Sequence, residues 1–510
     1  MTDEPEGEQR HLGGKVARNW GLRRPQFEGD RAPTDPALAG RAGALPEGGP
    51  STRLVPQVEE GGASPLGVSG RIGRPLGESG ELPLYVAHSF GLPSVTPSPV
   101  GTMIYTLLTI GVEEHATGSQ RLPLNLVLVL DHSLSMRGEK LERAKDAARY
   151  VIERLTPQDT LAIVSFSDRA TVVAPMQPVG DGSALKEALA GIQPQGGTEL
   201  AAGIRAGLAQ CPPRTRQRGA IASMLMLTDG RTYGDEAACL ELAEQASLNQ
   251  VSITPLGLGD EWNEDLLEAV AFRSGSSSEY VVDPNTVVEA FRTHVELLQT
   301  TYARGATLRV ETPQQVRLAA FHRTRPRLGR VDLLTGAGAG EQTFYLGTLH
   351  SGEEQDFLIE FVAETPEEGV LRLARLHLAF EAVNRPGQLR VGYDLTIPVS
   401  LARPANPFTT SVRLAVEKVV ACKLEQKAWQ ELAEGNIAAA SERLRLVATR
   451  LGEAGEVDLA RTVAAEADSL ARTGHATAAG TKSIKYGTRG LGRTQAMAQR
   501  SRSLHREKSE

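Results

Sequence analysis

Short apolar runs alternate with amphipathic segments of helical period between residues 120 and 301. The runs are typical of buried strands, and the amphipathic segments are typical of helices that cover a sheet. Together they predict an α/β domain with a doubly wound, mostly parallel sheet. The predicted strands are Leu124–Leu130, Leu161–Phe166, Thr171–Ala174, Ile221–Leu227, Val251–Leu256 and Tyr280–Val282. The predicted helices are Leu141–Leu155, Glu199–Ala209, Glu236–Leu248, Asn263–Phe272 and Thr286–Leu298.

The pattern changes after residue 301. Residues 302–402 show short strand patterns at roughly ten-residue spacing, which predicts a β-sandwich. Residues 84–119 hold two further patterns, Leu84–His88 and Met103–Glu113, that have no sheet partner of their own. We expect these strands to join the sandwich, so that the α/β domain is inserted between strands of a β domain.

Residues 409–473 have a helical period, which Gly435 and Gly455 interrupt as helix stops. This predicts a small helical hairpin or bundle. Residues 1–83 are rich in Gly and Pro and lack an apolar period, so they predict a disordered leader. Residues 474–510 predict a flexible basic tail, because the last thirty residues carry eight Lys or Arg against two Glu.

The composition excludes several classes of protein. The 510-residue chain has 55 Lys and Arg against 62 Asp and Glu, a net charge of −7, unlike the basic balance of nucleic-acid binders. Its three cysteines, Cys211, Cys239 and Cys422, lie too far apart in sequence for a disulfide framework or a CxxC site. No apolar run reaches membrane-spanning length and no secretory signal is visible, so we expect a cytoplasmic protein.

Three loops carry polar residues where predicted strands end or helices begin. The first is the D-x-S-x-S string Asp131–Ser135, which directly follows an apolar strand. The second, Gly196–Thr198, precedes a helix, and the third, Thr228–Gly230, closes another apolar strand. Ligands of open α/β sheets bind in the crevice at the carboxyl ends of the strands. We therefore expect the three loops to meet at that edge.

These loops offer only oxygen ligands. The hydroxyls of Ser133, Ser135 and Thr198, with the carboxylates of Asp131 and Asp229, suit Mg²⁺, which prefers oxygen ligands and keeps several waters. With so few negative direct ligands, the ion would stay electron-poor and attract an external carboxylate. The alternative interpretation is that the aspartate and the serines only cap the following helix.

On these residues, the α/β segment resembles the von Willebrand factor A (vWA) domain, which has a Rossmann-like fold. The three loops resemble the metal-ion-dependent adhesion site of that domain. The resemblance implies Mg²⁺ or Mn²⁺ held by Ser133, Ser135 and Thr198, with Asp131 and Asp229 behind them. Such a site binds an acidic residue of another protein.

Two further stretches bear on the resemblance. Leu134 stands between the two serines where family members often carry Gly, which makes the loop bulkier without removing a ligand. The stretch 257–267, GLGDEWNEDLL, is similar to that of bacterial stand-alone vWA proteins. Those proteins share the order of vWA domain, β-sandwich, helical region and short Thr/Arg-rich end, and this implies the same architecture here.

The main functional hypothesis is a non-enzymatic scaffold or adhesion protein that binds an Asp or Glu of a partner through the metal. An enzyme would need a general base beside the ion, and none stands out in the sequence. An accessory role beside a AAA+ ATPase follows only from analogy with some vWA proteins. We expect no specific nucleic-acid partner.

Two single residues carry secondary hypotheses. Trp262 is either a packing residue or a partner contact near the metal face, because Trp is enriched both in cores and at interface hot spots. Thr488 lies among basic residues of the predicted tail. If phosphorylated and read by a forkhead-associated domain, it would make the chain a phosphothreonine-regulated signalling scaffold. The alternative for this stretch is a solvated tail.

Overall fold

The computed structural model describes residues 83–113, 122–211, 220–232, 234–338, 340–365, 367–383, 385, 387–402 and 408–507, with side chains in the last helix up to residue 492. The leader predicted to be disordered, residues 1–83, lies outside the described residues except for Pro83.

The described residues form sixteen strands and ten α-helices. The strands are β1 Leu84–Phe90, β2 Ser98–Val112, β3 Leu124–Asp131, β4 Thr160–Phe166, β5 Ala170–Pro178, β6 Ile221–Thr228, β7 Val251–Leu258, β8 Glu279–Val281, β9 Thr301–Glu311, β10 Val316–Arg325, β11 Gly329–Arg330, β12 Asp332–Gly338, β13 Glu341–His350, β14 Glu354–Thr365, β15 Gly369–Ala382 and β16 Gln388–Val399. The helices are α1 Glu139–Arg154, α2 Ser183–Ala190, α3 Leu200–Gln210, α4 Glu236–Leu248, α5 Glu264–Arg273, α6 Val287–Gln299, α7 Thr410–Ala433, α8 Ile437–Glu453, α9 Val457–Thr473 and α10 Ala478–Glu507.

The α/β segment is a six-stranded sheet in the order β5-β4-β3-β6-β7-β8, parallel except for β5. Its central strand β3 is buried on both faces, because alternate side chains enter two separate cores. Leu126 and Leu128 pack with α1 and α6, whereas Val127 and Val129 pack with α3, α4 and α5. The structure adds the short helix α2, which the apolar pattern did not predict.

The remaining strands form two five-stranded sheets that enclose one apolar core, as in a β-sandwich. One sheet has the order β1-β2-β14-β10-β11, and the other β12-β13-β9-β15-β16. Strand β2 pairs with β14 along almost its full length, with Ile104 opposite Phe361. The strands before the α/β segment therefore pair with a strand that follows it. The predicted fold class, a doubly wound sheet inserted in a sandwich with a helical region after it, is confirmed.

Helix α7 packs on the outer face of one sandwich sheet, α8 packs on α7 and α9 on α8, and Leu107 of β2 and Leu358 of β14 enter the core of this helical region. Gly435 and Gly455 follow α7 and α8 with φ values of +83° and +86°, a backbone conformation that favours glycine. Asn436 then caps α8 by accepting a hydrogen bond from the Ala439 amide at 3.4 Å. No helix in the described part of the chain is both long and apolar enough to cross a membrane.

The last helix, α10, differs from the flexible basic tail that the sequence predicts over 474–510. Its first half is docked, with Ile484 and Leu491, seven residues apart, buried in the core of the helical region. Glycines allow the close approach, since a side-chain carbon at Gly492 would lie 2.6 Å from the Thr324 carbonyl oxygen. The residues between these apolar positions are mostly small or polar, so the sequence shows no clear amphipathic pattern. The basic residues of this half form ion pairs with α5 and do not face only water.

We predict that Leu491→Ala lowers the free energy of unfolding by about 2–5 kcal/mol, because the side chain is only 1% exposed and its loss leaves a cavity. Leu446→Ala is the matched control on α8, where the side chain is 50% exposed and the change should stay within about 0.5 kcal/mol. Urea denaturation of both variants measures the difference. Equally small losses would contradict the docking of α10.

Candidate metal centre

The candidate site lies where the connections of the sheet diverge. From β3 the chain passes to β4 on one side, while β6 lies on the other side of β3. A crevice opens at the carboxyl ends of two such strands, and ligands of open α/β sheets bind there. Asp131 is the last residue of β3, and Asp229 directly follows β6. The topology therefore brings together two loops that are almost a hundred residues apart in sequence.

Asp131 is fully buried and organises the first loop. One of its carboxylate oxygens accepts a hydrogen bond from the Ser133 amide at 2.8 Å, and the other accepts from the Thr228 hydroxyl at 2.6 Å. Burial raises the pKa of Asp131 to about 6, while the hydrogen bonds from Thr228 and Ser133 act in the opposite direction. The carboxylate thus ties the first loop to the end of β6.

The two serines and the second aspartate form a chain of oxygen atoms. Ser133 Oγ lies 2.9 Å from Ser135 Oγ, and Ser135 Oγ donates to Asp229 Oδ1 at 2.6 Å. Lys140, in the first turn of α1, donates to the other carboxylate oxygen of Asp229. Asp229 is fully buried, so this lysine compensates a charge that water does not reach. The sequence did not single out Lys140, because its place in the first turn of α1 alone does not reveal this contact.

Thr198 joins the same cleft from the second loop. The loop turns at Gly196, where φ is +67°, and Asp168 accepts a hydrogen bond from the Gly197 amide at 2.8 Å. Asp235 then accepts from the Ala201 amide at 2.7 Å in the first turn of α3, which fixes the end of the loop. The structure therefore places all five predicted ligand residues at one edge of the sheet.

The donor chemistry of this set fits a hard divalent cation. Within the described residues, no group of three or more His, Cys, Asp or Glu side chains is arranged to hold a metal. The candidate set combines three hydroxyls with two carboxylates, which are oxygen ligands of the kind that Mg²⁺ takes. A side-chain carbon at Gly230 would lie 2.7 Å from Thr198 Oγ1, so glycine is required for the second and third loops to approach.

The hydroxyls and carboxylates differ in exposure. Ser135 is exposed and Thr198 half-buried, and both line an open cleft of about 690 Å³. Asp131 and Asp229 are completely buried behind them. The other lining residues are Gly197, Gly230, Arg231, Asp260, Glu261 and Ala478. Ser133 is buried with the two carboxylates, so an external group entering the cleft would meet the Ser135 and Thr198 hydroxyls before it met Asp131 or Asp229.

Trp262 is a packing residue in this structure. Its side chain is fully buried, and its ring lies 5.6 Å from the Tyr486 ring and 4.9 Å from Lys482 Nζ, both on α10. The indole nitrogen donates to the Gly259 carbonyl at 2.5 Å, so the ring also closes its own loop. The predicted contact with an external partner is replaced by a contact with the last helix.

Thr488 is likewise fully buried, on the docked half of α10. Its hydroxyl has no hydrogen-bond partner within the described part of the chain. A phosphate on this oxygen would place about two negative charges in a closed interior, which costs far more than the interface can supply. The predicted phosphosite is therefore inaccessible in the folded chain.

Comparison with known protein families agrees with this architecture. Residues 125–293 match the model of the von Willebrand factor type A domain, which confirms the resemblance seen in the sequence. Residues 410–494 match a second model, described as the Sll0103-like, C-terminal alpha-helical domain. That match runs past α9 and includes the docked half of α10.

Similar proteins cover only parts of the chain. The protein sll0103 of Synechocystis sp. is 36% identical over 201 residues, which are 39% of this chain and 47% of that protein. Bovine inter-alpha-trypsin inhibitor heavy chain H4 is 28% identical over 164 residues, 30% of this chain and 18% of that protein. The match thus spans less than half the length of either relative. The solved structure of a von Willebrand factor type A protein from Catenulispora acidiphila has the same fold, with a TM-score of 0.65, 17% identity, and coverage of 79% of this chain and 96% of that one.

We predict that Trp262→Ala destabilises the chain by about 3–5 kcal/mol, because it empties a fully buried aromatic site between α5 and α10. Trp262→Phe keeps most of the packing and should cost clearly less. Thermal unfolding followed by circular dichroism measures both variants. An unchanged melting temperature for Trp262→Ala would instead favour the partner-contact interpretation.

Proposed function

The chain carries a von Willebrand factor type A domain, and we propose that this domain makes it a non-enzymatic, divalent-cation-dependent protein-binding scaffold. vWA domains commonly mediate protein–protein interaction, and residues 125–293 match the model of that domain. The partner would present an Asp or Glu side chain to the cleft. Mg²⁺ or Mn²⁺ fits the oxygen-only donor set of the site.

The observation that carries this proposal is the layering of the site, in which the Ser135 and Thr198 hydroxyls line the cleft while Ser133 and both carboxylates are buried behind them. Ser135 and Thr198 would hold the ion from the cleft side, and the buried Ser133, whose hydroxyl lies 2.9 Å from that of Ser135, would hold it from within the first loop. Asp229 would orient the second serine hydroxyl through their 2.6 Å contact. Asp131 would fix the first loop through the Ser133 amide. Bound there, the cation would supply Lewis-acid attraction for an incoming carboxylate.

The two other hypotheses receive less support. A phosphothreonine reader would require Thr488 to leave a closed interior together with the docked part of α10. An association with a AAA+ ATPase rests on the family resemblance alone. We therefore retain the cation-dependent scaffold as the proposed function.

We predict that Ser135→Ala lowers the affinity for Mn²⁺ at least tenfold and reduces Mg²⁺-dependent partner capture to the level seen in EDTA. The substitution also removes one hydrogen bond to the buried Asp229, but that carboxylate keeps its ion pair with Lys140, so the chain should still fold, and thermal unfolding checks this. Ser247→Ala, at an exposed position on α4, is the matched control. Isothermal titration with Mn²⁺ and pull-downs in Mg²⁺ or EDTA provide the two readouts.

Each outcome separates one part of the proposal. Unchanged Mn²⁺ affinity in Ser135→Ala would contradict the ligand assignment. Capture of the same proteins in Mg²⁺ and in EDTA would contradict cation dependence and leave the hydrogen bonds of these loops with a structural role only.

A further inference from the structure

One side of the cleft carries acidic side chains, in contrast to the neutral hydroxyls of the candidate cation site. We call this side the acidic wall. Asp260 and Glu261 follow β7, are exposed, and line the same cleft as Ser135 and Thr198. Ala478, the first residue of α10, completes the lining on the side of the C-terminal helix. A segment bound in this cleft would therefore contact the vWA loops, the acidic loop and the last helix together.

A buried lysine of α10 holds the backbone of the acidic wall in place. Lys482 of α10 is almost completely buried and donates to the Asp260 carbonyl at 2.7 Å. The same ammonium group lies 3.4 Å from a Glu264 carboxylate oxygen and over the Trp262 ring. These contacts give the ammonium both charge compensation and a cation–π partner, which a buried lysine needs.

The side chain of Asp260 is fixed as well. The Tyr280 hydroxyl donates to Asp260 Oδ1 at 2.5 Å. Trp262, next to Glu261, packs against both Tyr280 and Tyr486, with ring centroids 5.8 and 5.6 Å away. The loop backbone and the Asp260 carboxylate are therefore preorganised, and the exposed Glu261 is carried at a fixed place on the cleft wall.

The charges that line the cleft favour particular residues on either side of the acidic residue in a bound partner segment. Among its described lining residues, Arg231 supplies a positive charge and Asp260 and Glu261 supply two negative ones. An acidic side chain directed at the hydroxyl donors would leave its neighbours in the bound segment beside this acidic wall. A basic neighbour gains from that field, whereas a second acidic residue is repelled.

We propose that the cleft recognises a bipolar protein segment, in which an Asp or Glu for the cation site is flanked by Lys or Arg that contacts the Glu261 wall. This inference rests on the proposed function, because the acidic residue is placed by the cation. It adds the chemistry of the partner and assigns Glu261 as a specificity-determining residue.

The test uses two blocked, fluorescently labelled pentapeptides, Ala-Lys-Glu-Lys-Ala and Ala-Gln-Glu-Gln-Ala, with the full chain in saturating Mn²⁺. Fluorescence anisotropy gives the affinity of each. The lysine peptide should bind about two- to five-fold tighter, the range expected for a partly exposed ion pair. EDTA should abolish binding of both peptides.

Glu261→Gln should reduce the ratio of the two affinities to near one. Glu187→Gln is the matched control, since it removes the same charge from an exposed position on α2 outside the cleft. It should keep the wild-type ratio, which separates a local contact from attraction to the net charge of the chain. Mn²⁺ affinity is measured for each variant so that all ratios are compared at saturation.

The outcomes distinguish failure of the bipolar-segment inference from failure of the proposed cation-dependent scaffold. Equal affinity of the two peptides in wild type, or a preference that survives in Glu261→Gln, overturns the bipolar segment while leaving the cation-dependent scaffold in place. Binding that is the same in Mn²⁺ and EDTA, or no binding of either peptide in Mn²⁺, overturns both.

Discussion

Two carboxylates, Asp131 and Asp229, lie fully buried side by side at the edge of a parallel sheet, and their burial constrains everything around them. Removing charged groups from water is costly unless hydrogen bonds or cations compensate the loss. The compensation comes from the Thr228 hydroxyl, the Ser133 amide, the Ser135 hydroxyl and the Lys140 ammonium group. Each of these groups belongs to a loop, a strand end or a helix end, so stable burial of the two carboxylates requires all of these segments to hold their positions.

The reversal of strand order at β3 places those groups. Because β4 and β6 flank β3 on opposite sides, their loops diverge and leave the crevice that Ser135 and Thr198 line. The C-terminal helix α10 also contributes to the site. It begins beside the loop after β7 and continues into the core of the helical region. Its ion pairs with α5 connect the C-terminal region to the wall of the cleft. These pairs are Lys482–Glu264, Lys485–Glu264, Lys485–Asp265 and Arg489–Glu268.

The fold and the candidate ligands were predictable because both follow from local patterns. Apolar runs locate the buried strands, and parallel strands bring their carboxyl ends to one edge, so Asp131 and Asp229 could be paired from sequence. The role of α10 was not predictable in the same way. Its buried apolar residues, Ile484 and Leu491, are sparse. Its lysines form ion pairs with acidic side chains of α5, and those pairs exist only in the folded chain. Trp262 was ambiguous for the same reason, since its neighbour Tyr486 is more than two hundred residues away in sequence.

The central claim is that the hydroxyls and carboxylates at this sheet edge form a divalent-cation site. The most direct measurement is a crystal structure of the chain grown with Mn²⁺, with anomalous diffraction data collected near the manganese absorption edge. We predict a single strong anomalous peak among the hydroxyl oxygens of Ser133, Ser135 and Thr198, with further density on its cleft side. A map with no peak at this position, at a Mn²⁺ concentration that saturates binding in solution, would contradict the claim.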